Sequence, residues 1–232
     1  MTMLRAILLD FYGTLVHEDD INIAEITALI HANAETECTI EEVSRFWHDA
    51  FFRRSGVANG VDFVSQRELG ILALEDTLAA FRVPLDAETI IQPQFAHWIA
   101  PPIFDDTIAF LNLVGELGLT TIVVSNVDRV DVEAAIQFHR FSFDDLITSD
   151  DARAYKPRPE MFRLALDLVS AEPRDVLHIG DSFGSDVRGA QAAGIPVDWL
   201  NRTGRVLPAG LPPNHELRTL DELHEVVLGL AC

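Results

Sequence analysis

After residue 100 this chain alternates short apolar runs with segments of helical period, and most of the runs stop at a polar residue. Residues 4–9 run to Asp10, and residues 119–124 (LTTIVV) run to Ser125 and Asn126. Residues 145–148 (DLIT), 176–179 (VLHI) and 196–200 (PVDWL) complete the series. Residues 105–117, 130–138, 159–169 and 186–193 between them carry apolar side chains at helical spacing. Gly118 and Gly194 act as stops. Strands alternating with helices over short connections predict an α/β fold, with a Rossmann-like parallel sheet covered on both faces.

Residues 17–100 break the rhythm. They hold four long helical patterns, over 23–34, 40–54, 63–81 and 89–100, and no clear strand. Thr39 before Glu41 and Glu42, and Asp86 before Glu88, read as helix starts. Pro101 and Pro102 close the segment as a hinge. The expected organisation is a Rossmann-like core of residues 1–16 and 101–232 with a helical module of residues 17–100 inserted after the first strand.

Charge limits the partners. The 232 residues carry 37 acids against 17 Lys and Arg, a formal net charge of −20. That field repels nucleic acid and anionic membranes, so neither is expected as a partner. The run before Asp10 leaves no room for a leader's apolar stretch, and no run approaches the length of a membrane span. Cys38 and Cys232 are the two cysteines, expected as free thiols in a reducing compartment, and the chain is expected in the cytoplasm. The sequence does not fix an oligomeric state.

In parallel α/β sheets ligands bind beyond the carboxyl ends of the strands. Asp10 leaves the first run into Phe11-Tyr12-Gly13-Thr14, where Gly13 permits a tight turn and Thr14 can bond back to the carboxylate. Ser125 and Asn126 can donate to an anionic oxygen. Lys156 is a compact cation in a loop stiffened by Pro157 and Pro159. Asp181 and Asp186 flank a glycine-containing turn and, beside Asp10, would form a hard-oxygen site suited to Mg²⁺.

These four signals, in this order, resemble the motifs of the haloacid dehalogenase superfamily, and the helical insert is similar to that superfamily's cap. The resemblance implies hydrolysis through a covalent intermediate on Asp10. Lys156 and Mg²⁺ would neutralise an anionic substrate, a small metabolite, and Ser125 would hold a transferring oxygen. Asp10, the Tyr12 carbonyl and Asp181 would be the metal ligands, with Asp186 binding through water or orienting Lys156.

The pattern is a hybrid. Phosphatases of the superfamily carry a second Asp two positions after the nucleophile, as general acid and base, and here that position is Tyr12. Asp-x-Tyr-Gly-Thr is similar to the 2-haloacid dehalogenases, as are Ala154 to Pro157 and Trp199 to Gly204. Those enzymes need no metal, yet here Gly180-Asp181 is intact. Their halide-binding Arg follows a cap tryptophan, whereas Trp47 is followed by His48. Phe162 stands where they have a Tyr, and Arg53 or Arg54 is the candidate substitute for the halide ligand. A second acid beside Asp10 is costly without a cation, which favours a Mg²⁺-dependent phosphatase over a dehalogenase or a weakly catalytic phosphate-binding relative.

Overall fold

The computed structural model describes residues 4–223. Cys232 lies outside the described residues, and Cys38 is a free thiol. Strand β1 is Ala6–Leu9, and all four of its residues are buried. Such a strand has no wet face and belongs at the centre of a sheet. Strands β2 (Thr120–Ser125), β3 (Asp145–Thr148), β4 (Val176–Gly180), β5 (Val197–Leu200) and β6 (His215–Leu217) complete a six-stranded sheet of order β3-β2-β1-β4-β5-β6. Every pairing is parallel. The α/β reading with a parallel sheet therefore holds. β6 was not among the expected strands: its first two residues are exposed, so it leaves no apolar run.

Side-chain alternation along β1 splits the core in two. Ile7 and Leu9 join Phe110, Val114, Val132 and Ala135 on one face. Ala6 and Leu8 join Met161, Phe162 and Ala190 on the other. Helices Thr107–Glu116 and Arg129–His139 thus cover the first face, and Glu160–Val169 and Arg188–Ala192 the second. The last of these follows a π-helical turn over Phe183–Val187, so helical structure begins three residues before the 186–193 segment that the sequence predicts.

Between β1 and Thr107 the chain forms five helices, α1 (Asp20–Ala32), α2 (Ile40–Val57), α3 (Gln66–Phe81), α4 (Ala87–Ile90) and α5 (Gln92–Ile99). Thr39 and Glu42 form a reciprocal capping box on α2, and Asp86 caps α4 through the Thr89 amide at 2.8 Å. The single helix expected over 89–100 is two. Pro93 supplies no N–H and so suits the opening turn of a new helix, which it occupies in α5. The helix expected from Phe63 starts later, at Gln66, where the Ser65 hydroxyl caps it. The insert joins the sheet layer by an antiparallel bridge between Val16 and Ile103, with the His17 amide donating to the Pro102 carbonyl at 2.8 Å. No described helix is long and apolar enough to cross a membrane.

Candidate active site

Register brings the polar strand ends together. Leu9 pairs with Val123 on one side and Ile179 on the other, so Asp10 leaves the sheet between β2 and β4. Lys156 reaches into this gap. Its Nζ donates to Asp10 Oδ1 at 2.7 Å, Asp186 Oδ1 at 2.6 Å and the Val124 carbonyl at 2.8 Å. All three ammonium protons are thereby used. Burial alone would push the lysine toward neutrality, but the two carboxylates hold its pKa above the usual value.

Each carboxylate has a different setting. Burial raises the Asp10 pKa, and Asp186 adds to the effect while Lys156 opposes it. Thr14 Oγ1 donates to Asp10 Oδ2 at 3.1 Å, so Asp10 is held from both oxygens. Burial would raise Asp186 too, but Lys156 and His178 outweigh it and keep that carboxyl well below the usual range. Its second oxygen accepts the Ser182 amide at 2.9 Å. Asp181 is pushed well above the usual carboxylate range by burial and then by Glu18, Asp10 and Asp186, with Arg205 opposing.

Two glycines make the crowding possible. Gly13 has φ +82°, and a Cβ there would lie 2.6 Å from Asp181 Oδ1. A Cβ on Gly180 would collide with the Asp186 carboxyl carbon. Carboxylate oxygens of Asp10, Asp181 and Asp186 lie within 4.8 Å of one another. Three hard oxygen donors at that spacing, with Asp181 poorly neutralised by protein, suit a divalent cation.

The remaining expected residues divide. Ser125 is buried and lines the same cavity, its Oγ accepting the Val127 amide at 3.2 Å. Asn126 brackets the lysine backbone, with Oδ1 accepting from Lys156 N at 2.7 Å and Nδ2 donating to Lys156 O at 3.3 Å. Tyr12 also lines the cavity, but its hydroxyl donates to the Trp98 carbonyl at 2.6 Å. Burial and then Asp131 and Asp19 raise the phenol pKa further, so it supplies no base near neutral pH. Arg53 and Arg54, the candidate halide ligands, are not brought to the cavity. Arg54 pairs with Asp76 at 2.8 Å, and the Arg53 guanidinium lies over the Phe46 ring.

Several neighbours are not legible as site residues in the sequence. His178 is inside an apolar run; its ring nitrogens face the Leu8 carbonyl at 3.0 Å and Asp186 Oδ1 at 3.1 Å. Arg205 contacts the Asp181 carbonyl and Oδ2, the latter at 3.0 Å. Arg202 clamps Asp106 with two bonds and donates to the Thr14 carbonyl at 2.8 Å, fixing the loop after Asp10. Glu18 and Asp19 line the mouth of the cavity, which encloses about 230 Å³. Two signals in the sequence point this way: Arg202 falls in the Trp199 to Gly204 stretch, and Glu18, Asp19 and Asp20 form a run of acids.

The parallel sheet, its insert and the aspartate–lysine cluster at the strand ends together define a hydrolase. Residues 4–194 match the model of the haloacid dehalogenase-like hydrolases, and the chain belongs to that family. It is 36% identical over 126 residues to haloacid dehalogenase-like hydrolase domain-containing protein 3 of Danio rerio, covering 52% of this chain and about half (51%) of that protein. The (S)-2-haloacid dehalogenase H-109 of Pseudomonas putida is 27% identical over 98% of this chain and 100% of its own length. A phosphoserine phosphatase of Thermus thermophilus is 31% identical, over 68% of this chain and 62% of its own. Among solved structures, the L-2-haloacid dehalogenase RSc1362 superposes with a TM-score of 0.80 at 21% identity, covering 98% of this chain and 100% of that one.

Proposed function

We propose that the chain is a Mg²⁺-dependent phosphomonoesterase of a small phosphorylated metabolite, acting through an aspartyl-phosphate on Asp10. The observation that carries this reading is Asp181, a buried carboxylate packed against Asp10 and Asp186 with one partly exposed arginine to offset it. A site for metal-free chemistry at carbon gains nothing from that third acid and bears its electrostatic cost. Asp10, the Tyr12 carbonyl and Asp181 would hold the cation. Asp186, bonded to Lys156, His178 and Ser182, orients Lys156 and would reach the cation through water. When bound, Mg²⁺ supplies charge neutralisation on the phosphoryl oxygens.

The protein groups do the rest. Lys156 and Thr14 fix the Asp10 carboxylate before substrate arrives, which removes rotational freedom from the attack. An Asp10 oxygen bonds to phosphorus as the bond from phosphorus to the ester oxygen breaks, and the departing alkoxide takes its proton from solvent water, since the Tyr12 phenol is engaged elsewhere. Water then attacks the acyl-phosphate, freeing inorganic phosphate and restoring Asp10. Lys156 and the Ser125 hydroxyl face the transferring group from the protein side. The helices of residues 17–100 act as the cap that covers it.

Phosphate release from a panel of small phosphomonoesters tests the reading. It should require Mg²⁺ and stop in excess chelator; undiminished release in chelator refutes the metal role. The second reading, a 2-haloacid dehalogenase, is favoured by Tyr12 and by the full-length likeness to the Pseudomonas putida enzyme. It requires halide release from 2-haloacids without metal, and none across a range of chain lengths eliminates it.

A further inference from the structure

Beside the reaction cavity lies a second chamber of about 350 Å³, within the size range of small-molecule sites. The two share Asp19, Phe52, Gln66 and Trp98 as walls. A group bonded to a phosphoryl at Asp10 therefore has a path toward the helical insert along these residues. We propose that this chamber selects the alcohol part of the substrate, and that it takes a flat apolar body ending in a positively charged amine. The proposal rests on the phosphomonoesterase reading for the ester and on the chamber alone for the amine.

The apolar part follows from the walls. Trp47, Phe51, Phe52 and Trp98 line the chamber, and Phe52 is 55% exposed, a large aromatic surface without a full packing partner. The charge preference follows from the polar groups among them, which are acceptors. Asp19 occupies the position before α1 but makes no capping bond there. Its Oδ2 instead accepts from Gln94 Nε2 at 2.8 Å and Trp98 Nε1 at 2.7 Å, which aims the acid at the chamber wall. Gln94 is 8% exposed, and with its nitrogen committed to Asp19 its Oε1 has no hydrogen-bond partner. A buried acceptor without a partner is costly and calls for a donor from a ligand. Asp20 lines the same chamber and makes no side-chain ion pair or hydrogen bond with described residues. An acid in the first turn also suits the helix dipole, but that role does not require it to face a cavity.

No Lys or Arg lines this chamber, and His48 there already faces Asp49 at 3.3 Å. A second anionic group on the substrate would meet Asp19 and Asp20 with no counter-charge. An ammonium would meet two carboxylates, a free amide oxygen and aromatic faces suited to cation–π contact.

Three phosphomonoesters of one phenyl skeleton test this, with a side chain ending in ammonium (4-(2-aminoethyl)phenyl phosphate), in methyl (4-ethylphenyl phosphate) or in carboxylate (3-(4-phosphooxyphenyl)propanoate). Acetyl phosphate serves as a control too small to reach the chamber. With Mg²⁺ present, kcat/KM should fall in that order, by about tenfold or more from first to last. Asp20→Asn should shrink that ratio severalfold. A second readout needs neither metal nor turnover: 4-(2-aminoethyl)phenol should quench the fluorescence of Trp47 and Trp98 at lower concentration than 3-(4-hydroxyphenyl)propanoate, and Asp20→Asn should narrow the difference. Equal or reversed preference in the quenching assay overturns the chamber assignment whatever the esters do. Selective quenching with no hydrolysis of any ester or of acetyl phosphate upholds the chamber and refutes the phosphatase reading.

Discussion

The Tyr12 hydroxyl donates to the main-chain carbonyl of Trp98 at 2.6 Å, joining two residues 86 positions apart. The bond ties the loop that carries Asp10 to the last turn of the helical insert. It gives the tyrosine a structural contact at the position where phosphatases of the superfamily carry a second Asp. The phenol is a strut between loop and insert, and its proton is engaged.

Tyr12→Phe therefore removes one part-buried hydrogen bond and leaves the Trp98 carbonyl unpaired. The expected loss is about 1 kcal/mol of stability, with ester hydrolysis retained within a few fold. Tyr12→Asp is the sharper experiment. It places a carboxylate where acid–base help is missing, and phosphatase kcat should rise by about tenfold or more even as stability falls. A folded variant with no gain would show that proton transfer does not limit the reaction.

Asp10→Asn removes the attacking oxygen without changing side-chain shape. Turnover of any phosphomonoester or haloacid should drop by roughly a thousandfold or more, with the folded signature intact. Retained activity above that level would refute Asp10 as the nucleophile, whichever atom is attacked.

Lys156→Met should cost about 3–5 kcal/mol, because Asp10 and Asp186 would remain buried without their shared cation. Lys156→Arg should not rescue it, since a planar fork cannot place donors on Asp10, Asp186 and the Val124 carbonyl together. The pH dependence gives an independent check. In the wild type Asp186 is depressed below its unfolded value, so its contribution is present above the unfolded pKa near 4 and is lost as pH falls. In the variant the same acids lose their cation and their folded pKa values rise. The folded variant then binds still more protons than its unfolded chain, so its Tm should climb from pH 8 to pH 5 more steeply than that of the wild type, where Glu18 and Asp181 already take up protons on folding. A slope equal to the wild type's would show that Lys156 does not neutralise the pair.

These acids were legible because each stops or closely follows an apolar run, and strand ends converge in a parallel sheet. The α/β sheet was legible for the same reason, strand by strand, except β6, where exposed His215 and Glu216 leave no apolar signature. What the sequence hid depends on long-range packing. His178 reads as one more residue of a buried strand until register sets it beside Leu8 and near Asp186. Arg54 lies on the expected helix, but packing of α2 against α3 turns it to Asp76 and away from the cavity. Pro93 was in plain view as a helix start and marks a break that helical spacing alone runs through.

Glu18 gives the site a titration near neutrality. The residue reaches solvent at the cavity mouth, yet packing around it and then Asp20, Asp10 and Asp19 push its carboxyl up to about 7. Below that value it is neutral, and above it adds a negative charge that would repel the proposed anionic substrate. The ratio of wild-type to Glu18→Gln kcat/KM cancels substrate ionisation. It should sit near one at about pH 5.5 and fall by roughly threefold or more by about pH 8.5. A ratio independent of pH would remove Glu18 from the electrostatics of the site.

The insert is docked on the core by a charge clamp whose loss should be felt in binding before chemistry. Asp128, at the start of the Arg129–His139 helix, accepts the amides of Gln66 at 2.6 Å and Arg67 at 3.0 Å, the first residues of α3. The Arg67 side chain then grips Asp131 with two bonds, at 2.7 and 2.5 Å, and lies over the Phe95 ring of α5. Asp131 is 1% exposed, so Arg67→Ala strands a buried carboxylate, while partial exposure of the arginine softens the loss to about 1–2 kcal/mol. The weakened contact is the one holding α3 beside the cavity. KM should rise severalfold with a smaller change in kcat, and cleavage near Pro101 and Pro102 by a protease should quicken. Added salt should reproduce part of the effect in the wild type, because the clamp is partly solvated. Arg67→Lys should recover little, since a single ammonium cannot make the two-pronged contact. Unchanged KM and unchanged proteolysis in Arg67→Ala would show that the insert is held without the Arg67–Asp131 pair, by contacts such as the Asp128 bonds to the α3 amides and the Tyr12 strut.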